Sequence, residues 1–434
     1  MTIILMLVVF AVLLVLGAPI LAAMGLGAAV AFVGTGLSFS ELARAVYGGI
    51  SSFTLLSIPL FILAGELLGK GGMSASLVRF VVAIVGWLPG GLGISVVVAT
   101  MVFSGISGSV NADAAAIGAV MIPMMTKAGY RKEWAASIVA AAAGTGILIP
   151  PSITMIVLGT ISNLSIKQLF LASLLPAILL GIAKAIIIYY RAKTGIEPSN
   201  ERITFSFPEA AKSFVAALPA LFAPVIILGG ILTGIFTATE AAVVAVLYTA
   251  FLTMVVYRSI SIATLLEVLL GTARLTGVVV GLVGIASAIA YIFAYNQASD
   301  ALVEWAGGFT SHYLLFITIV MILFWILGAL MDGIPALVIL MPLFIPLAQQ
   351  AGIDPIHFAI FSLAIFGISL VTPPIGTACF VVSAIAKVEM RHLFSPMTPF
   401  IIAMFATIVL IAYFPWLSLA IPKAIGGYVA AHSI

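Results

Sequence analysis

Charge is what this sequence has least of. Asp, Glu, Lys and Arg make up 7% of its 434 residues, against 64% hydrophobic residues and a mean hydropathy of +1.34. No soluble core absorbs that much apolar surface, so the chain reads as an all-α polytopic membrane protein embedded in a lipid bilayer. A single cysteine, Cys379, excludes an internal disulfide, and four scattered histidines leave no metal-ligand spacing. A Gly-rich phosphate loop followed by Lys is missing, as is any nucleophile–base grouping, which argues against ATP hydrolysis and against an enzyme. No cofactor is expected, uphill work must borrow an ion gradient, and a net charge of +3 implies no nucleic-acid partner. A basic n-region is missing too. Residues 1–33 are apolar apart from Gly17-Ala-Pro19 and read as one uncleaved first span kinked at Pro19.

What is present is a polar stretch at a depth where lipid forbids one. Phe103-Ser-Gly-Ile-Ser-Gly-Ser-Val-Asn-Ala-Asp113 lies between apolar arms, and a second apolar run breaks at Gly144-Thr-Gly-Ile-Leu-Ile-Pro-Pro-Ser152. Irregular backbone at membrane depth survives only when buried in protein or lining a wet cavity. The natural reading is a re-entrant hairpin beside a broken helix. The pattern occurs twice: Pro150-Pro151 recurs 223 positions later as Pro373-Pro374. At the same offset, without a gap, Gly105 falls on Gly328, Ile122-Pro123 on Ile345-Pro346, Ala128-Gly129 on Ala351-Gly352, and Gly144 on Gly367. Recurrent helix punctuation is the plainer alternative. Duplicated, Gly/Pro-interrupted apolar segments point to the binding site of a secondary transporter.

The first hairpin has arms at residues 92–103 and 114–125, the second at 313–327 and 336–348 around the tip Gly328-Ala-Leu-Met-Asp-Gly-Ile-Pro335. Charge sets the orientation. If Lys127, Arg131 and Lys132 are cytoplasmic, then Lys70, Arg79, Arg191, Lys193, Arg202, Lys212, Arg258, Lys387 and Arg391 share that side, and only Arg44, Lys167 and Lys423 oppose them. The first hairpin then enters from the cytoplasm and the second from outside, so the repeats are inverted. This places the N-terminus in the cytoplasm and the C-terminus in the periplasm.

A hairpin tip facing a broken helix brings four helix ends together. Helix N-termini suit an anion, and unwound carbonyls with hydroxyls suit Na⁺ as the coupling ion. The first-half sodium ligands are expected among Ser104, Ser107, Ser109, Asn111, Asp113, Gly144, Gly146 and Ile149. The second-half ligands are expected among Gly328, Met331, Asp332, Ser369, Thr372, Gly376 and Thr377. Substrate is expected against Ser107, Gly108, Pro150, Pro151, Pro373 and Pro374. Asp113 and Asp332 each stand where a hairpin's second arm starts; a carboxylate there either caps the arm or holds the ion loop. Glu66 and Glu240 lack repeat counterparts and read as packing or subunit contacts, with Lys184 and Arg274 snorkelling or pairing with such acids.

Taken together, Gly65-Glu-Leu, Gly71-Gly-Met-Ser74, the Ser104–Asp113 motif, Gly146-Ile-Leu-Ile-Pro-Pro-Ser152, Thr237-Ala-Thr-Glu-Ala241, Met331-Asp332 and Thr372-Pro-Pro-Ile-Gly376 resemble the large membrane subunit of tripartite ATP-independent periplasmic (TRAP) transporters. The resemblance covers essentially the whole length. It implies Na⁺-coupled uptake of an organic acid across the bacterial inner membrane, a periplasmic substrate-binding protein, and a small membrane subunit expected here as a separate chain. It also implies an elevator: scaffold spans at 1–69 and 166–298 (with a cytoplasmic linker at 191–212), a mobile transport domain at 70–165 and 299–390, and a final span and tail at 391–434. The rivals are a self-sufficient carboxylate symporter coupled to Na⁺ or H⁺, and a non-transporting scaffold, which would have no need of duplicated polar tips.

The orientation is directly testable. With Cys379 replaced, a cysteine at Ser199 should label from the cytoplasm and one at Ser311 from the periplasm; swapped accessibility would overturn the inverted assignment.

Overall fold

The computed structural model describes residues 2–197, 203–297, 313–331, 333–373, 376–425 and 428. The expectations for Asp332 and Pro374, and the labelling positions Ser199 and Ser311, lie outside these residues. Among the described residues every regular element is helical, and nine helices are long and apolar enough to cross a membrane.

In chain order the first helices are α1 (Thr2–Val15), α2 (Ile20–Gly34), α3 (Phe39–Ile50), α4 (Ser57–Lys70) and α5 (Met73–Val85). The first hairpin is α6 (Gly91–Ser107) and α7 (Val110–Lys127), and the first broken helix is α8 (Lys132–Ala143) with α9 (Ile153–Ile161). Long spans follow as α10 (Ile166–Lys193), α11 (Phe207–Thr233), α12 (Ala238–Phe251) and α13 (Ile262–Tyr295). The second hairpin is α14 (Tyr313–Leu330) and α15 (Gly333–Gln350), the second broken helix α16 (Pro355–Ser369) with α17 (Thr377–Ala386), and the chain closes with α18 (Phe394–Tyr413) and α19 (Trp416–Ile425).

The offset read from Pro and Gly punctuation is a structural repeat. Moving α7 by 223 positions gives 333–350, the bounds of α15; moving the start of α8 gives Pro355, the start of α16. The halves meet at the matched glycines. A β-carbon on Gly144 would lie 2.8 Å from the Gly367 carbonyl oxygen, and one on Gly367 would lie 2.5 Å from the Gly144 carbonyl oxygen. Each glycine thus makes to its counterpart the contact its counterpart makes back, the signature of a local two-fold axis. The halves also interlock, since α7 packs against α17 and α15 against α9.

The other helices sort into two groups. α3 runs along α13, and α4 packs on α12 and α13. α10 lies with the hairpins, against α6, α9, α16, α18 and α19, although its residues were expected among the scaffold spans. The expectation that Arg131 and Arg191 lie on one side agrees with their contacts. Arg131 pairs with Glu197 just beyond α10, and the Arg191 guanidinium lies 4.8 Å from the ring centre of buried Trp134.

Two expectations are corrected. Residues 1–33 form not one kinked span but two antiparallel helices: a β-carbon on Gly34 would lie 2.8 Å from Thr2, and one on Gly27 3.2 Å from the Met6 carbonyl oxygen. Gly17, at φ 80°, reverses the chain, so Thr2 shares a side with residues 35–38 instead of opposing them. The hairpin tips are also tighter than expected. α6 runs on through Ser107 and α7 restarts at Val110, leaving Gly108 and Ser109 as the turn. Buried backbone finds its hydrogen bonds most cheaply by staying helical until a left-handed glycine, Gly108 at φ 59°, ends it.

The glycine crossing generates a stability prediction. Gly144→Ala and Gly367→Ala should each cost about 1–3 kcal/mol by overpacking, seen as a lower thermal midpoint of the purified protein. Gly271→Ala, where no atom lies within 4 Å of the added carbon, should not lower it. Equal midpoints for all three would contradict the crossing.

Candidate functional site

The first hairpin folds its carboxylate inward. Ser109 is the N-cap of α7, its hydroxyl accepting the Ala112 N–H at 3.5 Å, so Asp113 is not a cap. One turn into the helix, fully buried Asp113 accepts hydrogen bonds from the Ser104 and Ser107 hydroxyls of the other arm. The broken helix closes over this cluster at Gly146, where a β-carbon would strike an Asp113 carboxylate oxygen and lie 2.7 Å from the Ser104 hydroxyl. Only glycine lets the backbone of the break approach the carboxylate so closely. The tip itself rests on the break: a β-carbon on Gly108 would lie 3.0 Å from the Pro151 carbonyl oxygen and 3.2 Å from the Ile153 nitrogen. From the other group α4 touches the same tip, Gly65 standing within 3.0 Å of the Ser107 carbonyl oxygen by the same measure.

Beside this cluster lies a cavity of about 390 Å³ walled by Glu66, residues 108–112, Ile147, Ile153, Thr154, Gly333 and Ile334, among others. Three of its wall segments are helix starts: Val110 of α7, Ile153 of α9 and Gly333 of α15. Their first N–H groups and dipoles make the region attractive to an anion. Buried oxygens Asn111 Oδ1 and Ser152 Oγ have no hydrogen-bond partner among the described residues, so a ligand could use them as acceptors.

The second half uses its oxygens differently. Ser369 donates to the Ile365 carbonyl at 2.9 Å and Thr372 to the Ile368 carbonyl at 2.7 Å, so both hydroxyls are engaged by backbone. Buried Thr377 Oγ1 has no hydrogen-bond partner among the described residues, and Gly376 abuts the Leu370 carbonyl, 2.7 Å from its β-carbon position. Gly328 of α14 faces Ser369, its β-carbon position 2.7 Å from that hydroxyl. At offset 223 Ser369 matches Gly146 and Gly328 matches Gly105, so the hydroxyl facing the hairpin comes from the broken helix in the second half, while the hairpin serine Ser104 has Leu327 as its counterpart. Met331 is half-buried at the end of α14, and Pro150, Pro151 and Pro373 are buried at the two breaks.

Of the expected first-half residues, Ser104, Ser107, Asp113 and Gly146 converge, and Gly108, Ser109 and Asn111 line the cavity. Gly144 instead serves the helix crossing, and Ile149 packs beside Gly105. Glu66 forms part of the cavity wall and was not expected there; its place beside Gly65, in a run of apolar residues, is the signal. Glu240 completes a capping box with Thr237, whose N–H it accepts at 2.8 Å. Lys184 does not snorkel, and among the described residues it pairs with no acid: it is fully buried and donates to the Thr145 hydroxyl in the first break.

Known proteins share both sequence and fold with this chain. Residues 7–417 match the family model of the tripartite ATP-independent periplasmic transporter, DctM component. The chain is 37% identical over 405 residues to the 2,3-diketo-L-gulonate TRAP transporter large permease protein of Escherichia coli, covering 92% of this chain and 94% of that one. It is 36% identical over 389 residues to the C4-dicarboxylate TRAP transporter large permease protein of Pseudomonas aeruginosa, covering 90% and 91%. With the sialic acid TRAP transporter large permease protein of Vibrio cholerae it shares 34% over 399 residues, 91% of each chain. Among solved structures the fold is similar to the YdaH transporter of Alcanivorax borkumensis (TM-score 0.67, 16% identity, 89% of each chain). It is also similar to MtrF of Neisseria gonorrhoeae (TM-score 0.60, 13% identity, 91% of this chain and 85% of that one). An inverted pair of hairpins and broken helices, matched along nearly its whole length, makes this chain a member of the DctM-component family of TRAP transporters.

Proposed function

We propose that the chain is the permease of a Na⁺-coupled importer of a small organic acid. The observation that carries this is Asp113: a buried carboxylate held by two hydroxyls, with no cationic partner among the described residues. An ionised carboxylate at membrane depth that no cationic side chain touches draws a small cation into direct contact. A Na⁺ ion would take oxygens from Asp113, Ser104 and Ser107, with carbonyls of the break at 144–149 completing a hard, oxygen-rich shell. Once the carboxylate is neutralised, the three helix starts around the neighbouring cavity favour an anionic substrate. The relatives' substrates, a C4-dicarboxylate, a sialic acid and a diketogulonate, make a carboxylate the natural class for this chain as well.

Transport then moves the hairpin group against the α3–α4 and α12–α13 group, with Gly65 the close contact across which the tip slides. A periplasmic binding protein delivers the substrate, and a small membrane subunit supports the static group. The chain lies in the bacterial inner membrane with Arg131 and Arg191 cytoplasmic. The antiparallel α1 and α2 favour a periplasmic N-terminus, opposite to the sequence expectation. The Tyr428–Asp354 hydrogen bond supports a periplasmic C-terminus.

Proteoliposomes holding the chain and its two partners should take up the carboxylate when Na⁺ is outside and not when choline replaces it. Ser107→Ala should raise the Na⁺ concentration for half-maximal uptake about tenfold, the loss of one hydrogen bond to a charged group. Equal uptake in choline under an imposed proton gradient would favour H⁺ coupling instead, and uptake without the binding protein would favour a self-sufficient symporter.

A further inference from the structure

The first break is held between two buried ionisable side chains, a carboxyl and an amine. Gly146 closes against Asp113, while the preceding residue, Thr145, accepts a hydrogen bond from the Lys184 ammonium. Lys184 stands in the interior of α10, is fully buried, and forms no ion pair among the described residues. A charge kept at this depth marks a function, and the carbonyl end of α8, which stops at Ala143, favours a cation here. The second half has no equivalent. At offset 223 Lys184 matches Thr407, whose hydroxyl turns back to the Ala403 carbonyl at 2.8 Å, and Thr145 matches Ile368.

We propose that Lys184 is the fixed countercharge to Asp113 across the break, setting both how tightly the site binds Na⁺ and why an anion follows. The inference rests on the Na⁺-coupled reading above. With the ammonium present, Asp113 and Lys184 cancel before Na⁺ arrives, and the loaded break carries one positive charge. That charge faces a cavity already ringed by the starts of α7, α9 and α15. Without Lys184 the loaded break is neutral, and only the helix ends attract a carboxylate. Glu66, on the cavity wall, is present in both cases, so removing Lys184 shifts Na⁺ and carboxylate affinity in opposite, fixed directions. Lys184 acts through its charge, with the Thr145 hydroxyl only holding the ammonium beside the break, and is a positioning residue.

The test reads the Na⁺ concentration that half-maximally raises the thermal midpoint of the purified full-length protein. Lys184→Gln keeps a donor for Thr145 and removes the charge; Lys184→Met removes both. Each should bind Na⁺ roughly tenfold tighter, because a like charge has left a weakly screened site. Lys184→Arg, which keeps the charge, should show no tightening, nor should Thr145→Val, which loses the hydrogen bond alone. A residue that only packs would weaken Na⁺ binding when replaced. Unchanged or weaker binding in Lys184→Gln, with a clear Na⁺ effect in wild type, overturns this inference alone. No Na⁺ effect in wild type overturns the Na⁺ reading and this inference with it. If Lys184→Gln does not fold, Lys184→Met decides on the same readout; failure of both to fold makes Lys184 structural and also overturns the proposal.

Discussion

A helix that stops inside a bilayer leaves N–H and carbonyl groups with no water to take them, and the core of this protein is organised by that constraint. Both broken helices stop where they can lean on each other. Gly144 and Gly367 give up side chains so that each backbone sits against its counterpart's carbonyl, and the hairpin tips then press on the breaks. The two breaks and the first hairpin's tip are thereby buried in one small volume, away from lipid. The freed backbone groups become the inner wall of a polar site, and the pseudo-two-fold crossing is what makes irregular backbone tolerable there.

Within that symmetric frame the chemistry is asymmetric. The first half carries Asp113 with two serine donors and a lysine behind the break, whereas the second engages Ser369 and Thr372 with backbone carbonyls and with Trp325 and leaves the Thr377 hydroxyl without a partner among the described residues. A serine hydroxyl meets a glycine in both halves, Ser104 of the hairpin against Gly146 in the first and Ser369 of the broken helix against Gly328 in the second, so the element that offers oxygen differs. Among the described residues the tip that holds a buried carboxylate is the one against α4, so the proposed ion site adjoins the interface with the other helix group.

Much of this was legible in the sequence because Pro and Gly act locally. The offset of 223 came from punctuation alone and matches the helix bounds, and charge bias placed Arg131 and Arg191 on one side, as their contacts agree. What was not legible depends on tertiary contact. Ser109 and Asp113 are both good N-caps by type, and only the neighbouring arm's serines decide that Ser109 caps while Asp113 turns inward. Residues 1–33 have no charge to fix their fold-back, and helix α1, at 14 residues or about 21 Å, is too short to span a core of about 30 Å alone. Lys184 stood out as a charge in an apolar run, yet its partner Thr145 lies 39 positions away and on another helix.

The account turns on Asp113 being the seat of a cation. Equilibrium binding of radiolabelled Na⁺ to the purified protein in nanodiscs, comparing wild type with Asp113→Asn, measures this without substrate or partners. Asn preserves the size and a hydrogen-bonding oxygen while removing the charge. The account predicts saturable Na⁺ binding in wild type that is lost or strongly weakened in the variant while its fold is retained; equal binding in both would contradict it.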